Sequence, residues 1–335
     1  MHLPNNLSKK ILAWYDNNKR ELPWRVSKKS PKKLYYRLLS EFMLQQTQVK
    51  TALPYFKKFL INFPTLESLS KSNEKKVLKL WEGLGYYRRA RNLLVTAKTL
   101  VKEKNSKLPK KIFDIKKLPG VGDYTANALL AFVYDQPTIA IDGNVKRVFS
   151  RILNKDENSI DFPELIKSNK KSLFKIKRYS DFVEALMEFG ALICKPKEPE
   201  CLKCNIRTVC KYFKSDKKFK KNKRIKILEK NYNIFCYIDK IKKKIALTKN
   251  HNLGFLNNFY LPQIKEKKNK HKIRNWNFHS SFKESISNKK LNISLYYKYS
   301  SRLPFRSQWF SLKVNNEFIP SFTKKIFKQF SNFNS

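Results

Sequence analysis

The stretch LPGVGDYTANALLAF, residues 118–132, decides how the first part of the chain folds. Its Pro-Gly-x-Gly segment ends one predicted helix, and a continuous apolar segment begins the next. The glycines let the backbone approach a ligand closely, and the first N–H groups of the following helix have no partner within it. Such a site suits an anion such as a DNA phosphate. The stretch is typical of a helix-hairpin-helix, although an ordinary glycine-containing turn between helices would look similar.

Four of the five cysteines form a second informative cluster, with the spacing C-x6-C-x2-C-x5-C. They are Cys194, Cys201, Cys204 and Cys210. Four thiolates this close together can saturate one metal centre, whereas disulfide scaffolds distribute their cysteines throughout a small secreted domain. Zinc sites and iron–sulfur clusters both use a short C-x2-C step, so the spacing alone does not separate these two metal centres.

The composition indicates a polyanionic partner. The 335 residues include 73 Lys and Arg against 26 Asp and Glu, which gives a formal charge of +47. Nucleic acid is the usual partner of so basic a chain, although the excess of Lys over Arg also fits an A+T-rich genome. No run approaches the ~20 apolar residues of a membrane helix, and the N-terminus lacks the apolar core of a signal peptide. We expect a cytoplasmic, nucleoid-associated protein without membrane contact.

Hydrophobic periodicity predicts an all-α region followed by a region that contains strands. Asp142 is expected to be the N-cap of one helix. Further helices are predicted at residues 33–50, 73–81, 86–104, 123–134 and 180–193. Period-two alternation predicts strands near 232–238 and 291–299, and a last helix is expected at 321–330. Residues 213–228 are rich in Lys and Arg and are predicted to be a basic linker.

Four motifs, together with the cysteines, resemble a known family. They are SEFMLQQTQV (40–49), WEGLGYYRRARNL (81–93), LPGVGDYTA (118–126) and DGNVKR (142–147). The set resembles the DNA glycosylases of the endonuclease III superfamily and, within it, the adenine DNA glycosylases, which remove adenine mispaired with 8-oxoguanine. The resemblance covers nearly the whole chain and implies that the four cysteines hold one 4Fe–4S cluster.

The resemblance implies a multidomain protein. An all-α helix-hairpin-helix glycosylase core with an iron–sulfur cluster loop would occupy residues 1–212. Within it, a six-helix barrel part would span about 28–138, and a cluster part would combine 1–27 with 139–212. After the linker, residues 229–335 would form an α+β NUDIX-like domain for lesion recognition. We expect a monomer bound to double-stranded DNA with A:8-oxoguanine or A:G mispairs.

Cleavage of an N-glycosidic bond needs an acid for the leaving base and an anion beside the sugar, where positive charge develops. The resemblance assigns the acid role to Glu41, whose pKa burial would raise, and the anion role to Asp142. From the residues alone, Glu41 could face solvent and Asp142 could be a simple N-cap. Tyr124 stands where bifunctional relatives have a nucleophilic lysine, which implies a monofunctional enzyme.

A base inside a duplex is unreachable, so the enzyme must flip it out and fill the gap. The resemblance assigns this filling to Gln46 and Tyr86. It assigns the adenine pocket to Arg20, Trp24 and Glu184, although Trp24 could instead be a core residue. The other expected DNA contacts come from Gly120, Gly122, Asn144 and Lys146, the last as a phosphate contact.

The lesion-reading segment departs from the family pattern. The Phe-Ser-His of the family is matched here by Ile286, Ser287 and Asn288, so Ser287 alone is retained. A second, thinner match to the domain consists of Gly254, Phe255 and Pro262. We therefore expect a reduced preference for A opposite 8-oxoguanine over A opposite G.

Two rival functions use the same features. One is a bifunctional glycosylase/lyase, which Tyr124 and Glu41 disfavour. The other is a non-catalytic nucleic-acid-binding protein, which the charge would suit and which the presence of Glu41, Tyr124 and Asp142 disfavours.

Overall fold

The computed structural model describes residues 1–216, 228–251, 253, 255–267, 273–286, 289–312 and 319–330. The chain divides into two compact units, Met1–Asn222 and Lys223–Ser335. Most of the predicted linker at 213–228, and also Gly254, Ser287 and Asn288, lie outside the described residues. No helix in the described ranges is long and apolar enough to cross a membrane.

The first unit is helical, as predicted. Its helices are α1 Leu7–Asn18, α2 Lys33–Leu44, α3 Val49–Asn62, α4 Leu66–Ser70, α5 Glu74–Trp81, α6 Arg88–Lys104, α7 Ile112–Lys116, α8 Asp123–Tyr134, α9 Gly143–Leu153, α10 Phe162–Ser168, α11 Lys170–Leu173, α12 Tyr179–Leu192 and α13 Lys211–Lys214. The helices expected at 73–81, 86–104, 123–134 and 180–193 are confirmed to within about two residues at each end.

The prediction of one helix over residues 33–50 is wrong. Helix α2 ends at Leu44 and α3 begins at Val49. Between them, Gln46 adopts the left-handed conformation, with φ of 57°. The break has a physical cause, because the last carbonyl groups of α2 accept hydrogen bonds from the buried Arg89 side chain on α6 instead of from a further helical turn.

One hydrophobic core joins α1 to the helices from α9 to α12. Trp14 of α1 meets Phe189 of α12 edge-on, with ring centroids 5.1 Å apart. Gly190 lets α12 approach the start of α9, since a Cβ added there would lie 2.6 Å from the Cβ of Asn144. The C-terminal half of this unit therefore packs back on the N-terminal helix and brings α12 against the beginning of α9.

The second unit contains a mixed sheet with a helix. Its elements are β1 Leu228–Asp239, β2 Lys244–Lys249, β3 Tyr260–Leu261, β4 Gln263–Glu266, β5 Asn277–Ile286, β6 Lys289–Tyr299, β7 Ser307–Ser311 and α14 Ser321–Phe330. The strand order is β3-β2-β1-β6-β5, with β4 paired to β1 and β7 paired to β2. Strands β1 and β6 run parallel, and the other pairs are antiparallel.

The core of this α+β unit forms between the sheet and α14. The last helix predicted at 321–330 is confirmed as α14. Its residues Ile326 and Phe327 are 0% and 1% exposed, so one face of the helix is buried against the sheet. Phe255, one of the residues matched to the family pattern, packs edge-on against Tyr232 and Phe322 in this core. Pro262 is also buried, between β3 and β4.

Candidate active site

Glu41 lies on the buried face of α2. It is 5% exposed, and in the described part of the chain its Oε2 has no hydrogen-bond partner. Burial raises the pKa of the carboxyl to about 7, although the charge of Arg37 and hydrogen bonding to Tyr124 act to lower it. A carboxyl with this pKa is partly protonated at neutral pH, so it is suited to deliver a proton.

The Tyr124 phenol lies beside this carboxyl. Tyr124 is in the first turn of α8, directly after the hairpin glycines, and its hydroxyl lies 3.9 Å from Met187 Sδ. Burial, together with the negative charges of Glu41 and Asp142, raises the pKa of Tyr124 well above its ordinary value of 10.0. The phenol therefore stays neutral and retains its hydrogen-bond donor.

Asp142 caps the N-terminus of α9, as predicted. Its Oδ1 accepts a hydrogen bond of 2.7 Å from the Val145 N–H, and its Oδ2 accepts one of 2.7 Å from Asn144 Nδ2. Burial raises the pKa of this carboxyl, while the Val145 and Asn144 donors and the charge of Arg147 oppose the increase. These donors fix the carboxylate in one orientation.

The fold brings together three groups that are far apart in the sequence. Glu41, Tyr124 and Asp142 come from α2, α8 and the cap of α9, and they influence one another electrostatically. Asp142 is thus both the N-cap of α9 and a member of this site. The result is a site with a buried acid, a half-buried neutral phenol and a half-buried, oriented carboxylate.

Glu184 joins this site to a buried ionic network. It lies on α12, is 5% exposed, and forms ion pairs with Arg25, at 2.8 Å between Nε and Oε2, and with Arg37. The Tyr15 hydroxyl donates a hydrogen bond to Glu184 Oε2. The negative charge of Glu184 also acts to raise the pKa of Glu41. Glu184 therefore lies within electrostatic reach of the acid.

Arg20 and Trp24, the other two residues predicted for the adenine pocket, make different contacts. Arg20 binds Glu188 rather than Glu184, with 2.5 Å between Nη2 and Oε1. The hydrogen bond from Arg20 and the charge of Arg25 outweigh burial and lower the pKa of Glu188. Trp24 is 4% exposed and meets Phe56 edge-on at 5.1 Å, so it packs as a core residue in this structure.

Gln46 and Tyr86, the residues predicted to fill the gap, are both exposed on short loops. Both have left-handed backbones, with φ of 57° and 49°. Arg89 lies between the two loops, is 7% exposed, and binds their main chains. Its guanidinium donates to the carbonyls of Phe42 at 3.1 Å, Met43 at 2.7 Å, Gln45 at 2.5 Å and Gly85 at 3.2 Å, and to Thr47 Oγ1 at 3.0 Å.

The predicted DNA-contacting residues lie around two helix N-termini. Gly120 has φ of 79°, and its carbonyl accepts a hydrogen bond from Gln45 Nε2. Gly122 precedes α8, and a Cβ added there would meet no atom within 4 Å. Asn144 is occupied by hydrogen bonds to Asp142 and Arg147. Lys146 is exposed, and its Nζ lies 5.5 Å from the Phe162 ring centroid.

The four clustered cysteines line one cavity and are not bonded to each other. Arg151 Nη1 lies 3.3 Å from Cys194 Sγ, which places a positive charge beside the thiols. Burial raises the pKa of Cys204 to about 11 and raises those of Cys194 and Cys210. In the described residues, no three His, Cys, Asp or Glu side chains are grouped tightly enough to hold a single metal ion.

The sequence did not identify the arginines that organise the site. Arg37 is the one charged residue before Glu41 within the helical stretch LYYRLLSEF, at residues 34–42. Its position, four residues before Glu41, was the available signal, because residues four apart share one helix face. Arg25 and Arg89 gave no such signal, since their partners lie far away in the sequence.

Comparisons with known proteins identify the family of the chain. Residues 39–173 match the HhH-GPD superfamily of base excision DNA repair proteins. The chain is 38% identical over 298 residues to an adenine DNA glycosylase of Buchnera aphidicola subsp. Baizongia pistaciae, a match covering 85% of this chain and 83% of that protein. The chain belongs to the adenine DNA glycosylase family. It is therefore a hydrolase of N-glycosyl bonds in base-excision DNA repair.

Solved structures show the same helical fold. A thermostable thymine-DNA glycosylase is 25% identical, with a TM-score of 0.55 over 62% of this chain and 95% of that one. A trapped endonuclease III–DNA covalent intermediate is 22% identical, with a TM-score of 0.52 over 64% and 98% of the two chains. At 22% identity, the similarity to the endonuclease III structure shows a shared fold alone.

Replacement of Arg89 should destabilise the two loops that contain Gln46 and Tyr86. Hydrogen bonds to charged groups contribute about 1.5–3 kcal/mol each, and buried carbonyls would be left without donors. We expect Arg89→Met to lower the free energy of unfolding by about 3 kcal/mol or more and to weaken duplex binding, as measured by denaturation and by fluorescence anisotropy. Arg88→Met, at the exposed neighbouring position, is the control and should change stability little. Equal effects of the two substitutions would contradict this role of Arg89.

Glu41 should also make stability depend on pH. Its folded pKa of about 7 lies above its ordinary value of 4.5, so between these pH values the unfolded chain binds fewer protons than the folded one. The contribution of Glu41 to stability is therefore fully present below pH 4.5 and is lost as the pH rises from 4.5 to about 7. As the pH rises from 4.5 to 7, the free energy of unfolding of Glu41→Gln should therefore increase relative to that of the wild type by on the order of 3 kcal/mol. Urea denaturation at each pH measures this, and the exposed Glu103→Gln should show no such gain.

Proposed function

We propose that this enzyme hydrolyses the N-glycosidic bond of adenine mispaired with 8-oxoguanine or guanine and leaves the DNA strand uncut. The observation that carries the proposal is the juxtaposition of the buried Glu41 with Tyr124 and Asp142 in one site. An acid and a carboxylate are the two groups that this reaction requires. We infer that a monomer carries out the reaction on double-stranded DNA.

Glu41 acts as the general acid. With a pKa near 7, about half of the Glu41 carboxyls are protonated at neutral pH, and each can pass its proton to a ring nitrogen of the departing adenine. Protonation turns the base into a neutral leaving group, so less negative charge builds up as the bond breaks. The neutral Tyr124 phenol can bind the carboxylate that results.

Asp142 stabilises the sugar as positive charge develops on it. Its two oxygens are already held by Val145 N–H and Asn144 Nδ2, so little reorganisation is needed when that charge appears. Water then attacks the sugar, and the ionised Glu41 is the available base for the proton that this water loses. This cycle regenerates the protonated acid.

The monofunctional part of the proposal rests on Tyr124. A lyase step needs an amine that attacks the sugar and forms a Schiff base. At this position after the hairpin, the chain has a phenol whose raised pKa makes it a poor nucleophile. Lys146 is exposed, which favours a phosphate contact for its amine.

Gln46 and Tyr86 are proposed to occupy the gap left by the flipped adenine. Their exposure and the rigid attachment of both loops to Arg89 support this role. A rigid loop loses little conformational freedom on insertion. We propose that Glu184, whose charge acts on Glu41, belongs to the adenine pocket.

We propose that Cys194, Cys201, Cys204 and Cys210 hold one 4Fe–4S cluster with a structural role. Four thiols around one cavity are the ligand set of such a cluster. Arg151, beside Cys194, would offset the negative charge of the bound thiolates.

The second unit is proposed to be a NUDIX-like domain that checks the base opposite adenine. Its α+β architecture supports this assignment. Ser287, which lies outside the described residues, would contact the lesion. Since each base contact contributes about 1–3 kcal/mol to discrimination, loss of the family's flanking residues should reduce the preference without removing it.

Single-turnover reactions on duplexes with A opposite 8-oxoguanine, G, C or T test the proposed function. We expect adenine release opposite 8-oxoguanine and G, with strand breaks that appear only after alkali. Glu41→Gln should reduce the rate by about 10²-fold or more while duplex binding persists. Efficient cutting without alkali would contradict the monofunctional mechanism, and a loss of only a few-fold would remove Glu41 from the acid role.

The cluster predicts brown protein with about four iron atoms per chain. We expect Cys201→Ser to lose iron and thermal stability. Cys236→Ala is the control, because Cys236 is buried in the sheet of the second unit and should leave the iron content unchanged. Metal analysis that found one zinc ion and no iron would refute the cluster.

A further inference from the structure

Arg37 is a buried cation next to the proposed acid. It lies on α2, one helical turn before Glu41, and its side chain is 8% exposed. Its Nη1 forms an ion pair with Glu184 Oε1, and its guanidinium carbon lies 4.7 Å from the Phe132 ring centroid. In the described residues its Nε has no hydrogen-bond partner.

Neutralisation of the buried network does not require Arg37. Three guanidinium groups face the two carboxylates of this network, which are Glu184 and Glu188. Glu184 already binds Arg25 and Tyr15, and Glu188 binds Arg20 and Arg25. A buried charge costs several kcal/mol to desolvate unless a compensating charge is close. The remaining positive charge of Arg37 is therefore balanced best by a further carboxylate, and Glu41 is the one on its own helix face.

Four groups act electrostatically on Glu41, and they come from different elements. They are Arg37 on α2, Tyr124 on α8, Asp142 at the cap of α9 and Glu184 on α12. Of these four, only Arg37 is positively charged. The other two charged groups are carboxylates, which disfavour ionisation of Glu41 as burial does.

We propose that Arg37 is a positioning residue that links the Glu184 pocket to the acid and sets the pH range in which the acid works. It holds Glu184 in place, and its charge favours the ionised form of Glu41 that must exist after each proton transfer. The inference rests on the proposed acid role of Glu41. Without Arg37, Glu41 would hold its proton more tightly and would return to the protonated state at higher pH.

The pH dependence of single-turnover adenine release tests this role. Protonated Glu41 is the active form, so the rate falls as the pH rises through its pKa. A cation within about 4–6 Å changes the pKa of a carboxyl by about 1–3 units. Arg37→Met should therefore shift the falling limb of the pH–rate profile to higher pH by about one unit. Arg37→Lys keeps the charge and should leave the limb near its wild-type position. The rising limb should move less, because it follows ionisation of Asp142, whose pKa is governed by Val145, Asn144 and Arg147.

Arg37→Met leaves Glu184 with one cation fewer and could therefore fail to fold. For that case the test compares Glu184→Gln with the double variant. Arg37→Met combined with Glu184→Gln removes both partners of the ion pair. Its falling limb should lie above that of Glu184→Gln alone, whereas equal midpoints would overturn the proposal. If Glu41→Gln retained activity, the acid role itself would fail. If Glu41→Gln were inactive and neither comparison shifted the limb, only the role of Arg37 would fail.

Discussion

The burial of one carboxyl, that of Glu41, is the constraint on which the rest of this site depends. A solvated carboxyl would be ionised at neutral pH and could not protonate a leaving base. Burial on the inner face of α2 raises its pKa to about 7. The same burial requires helices packed against α2, with α8 among them. Tyr124 of α8, Asp142 at the cap of α9 and Glu184 of α12 all act electrostatically on the buried carboxyl. Packing and chemistry are thus coupled through one side chain.

Buried and half-buried arginines stabilise this arrangement. Arg37 and Arg25 connect Glu184 to the interior, and Arg89 binds the end of α2 to the loop before α6. Arg151 similarly connects α9 to the cysteine loop through the carbonyl of Lys195 at 2.7 Å. Each planar guanidinium satisfies several acceptors at once, which suits it to helix ends where carbonyls lack partners. The basic composition therefore has a structural component beside any attraction to DNA.

Local signals made much of the helical fold predictable. Helix α5 begins after the capping side chain of Asn73, and α9 begins after that of Asp142. The break between α2 and α3 was not predictable, because it depends on Arg89, more than 40 residues away from the carbonyls it binds. Motifs also placed Glu41, Tyr124 and Asp142 among the site residues. The partners of Arg20 and the core position of Trp24 depend on long-range packing, which residue patterns do not encode.

The protonation state of Glu41 in the free enzyme is the most direct test of these conclusions. The carboxyl carbon of Glu41 can be followed by ¹³C NMR in glutamate-labelled protein across a pH titration, with Glu41→Gln used to assign its signal. We expect a midpoint near 7, in agreement with a carboxyl buried beside two other acidic groups. A midpoint near the ordinary value of 4.5 would mean that Glu41 is ionised at neutral pH, and it would contradict the assignment of this residue as the acid.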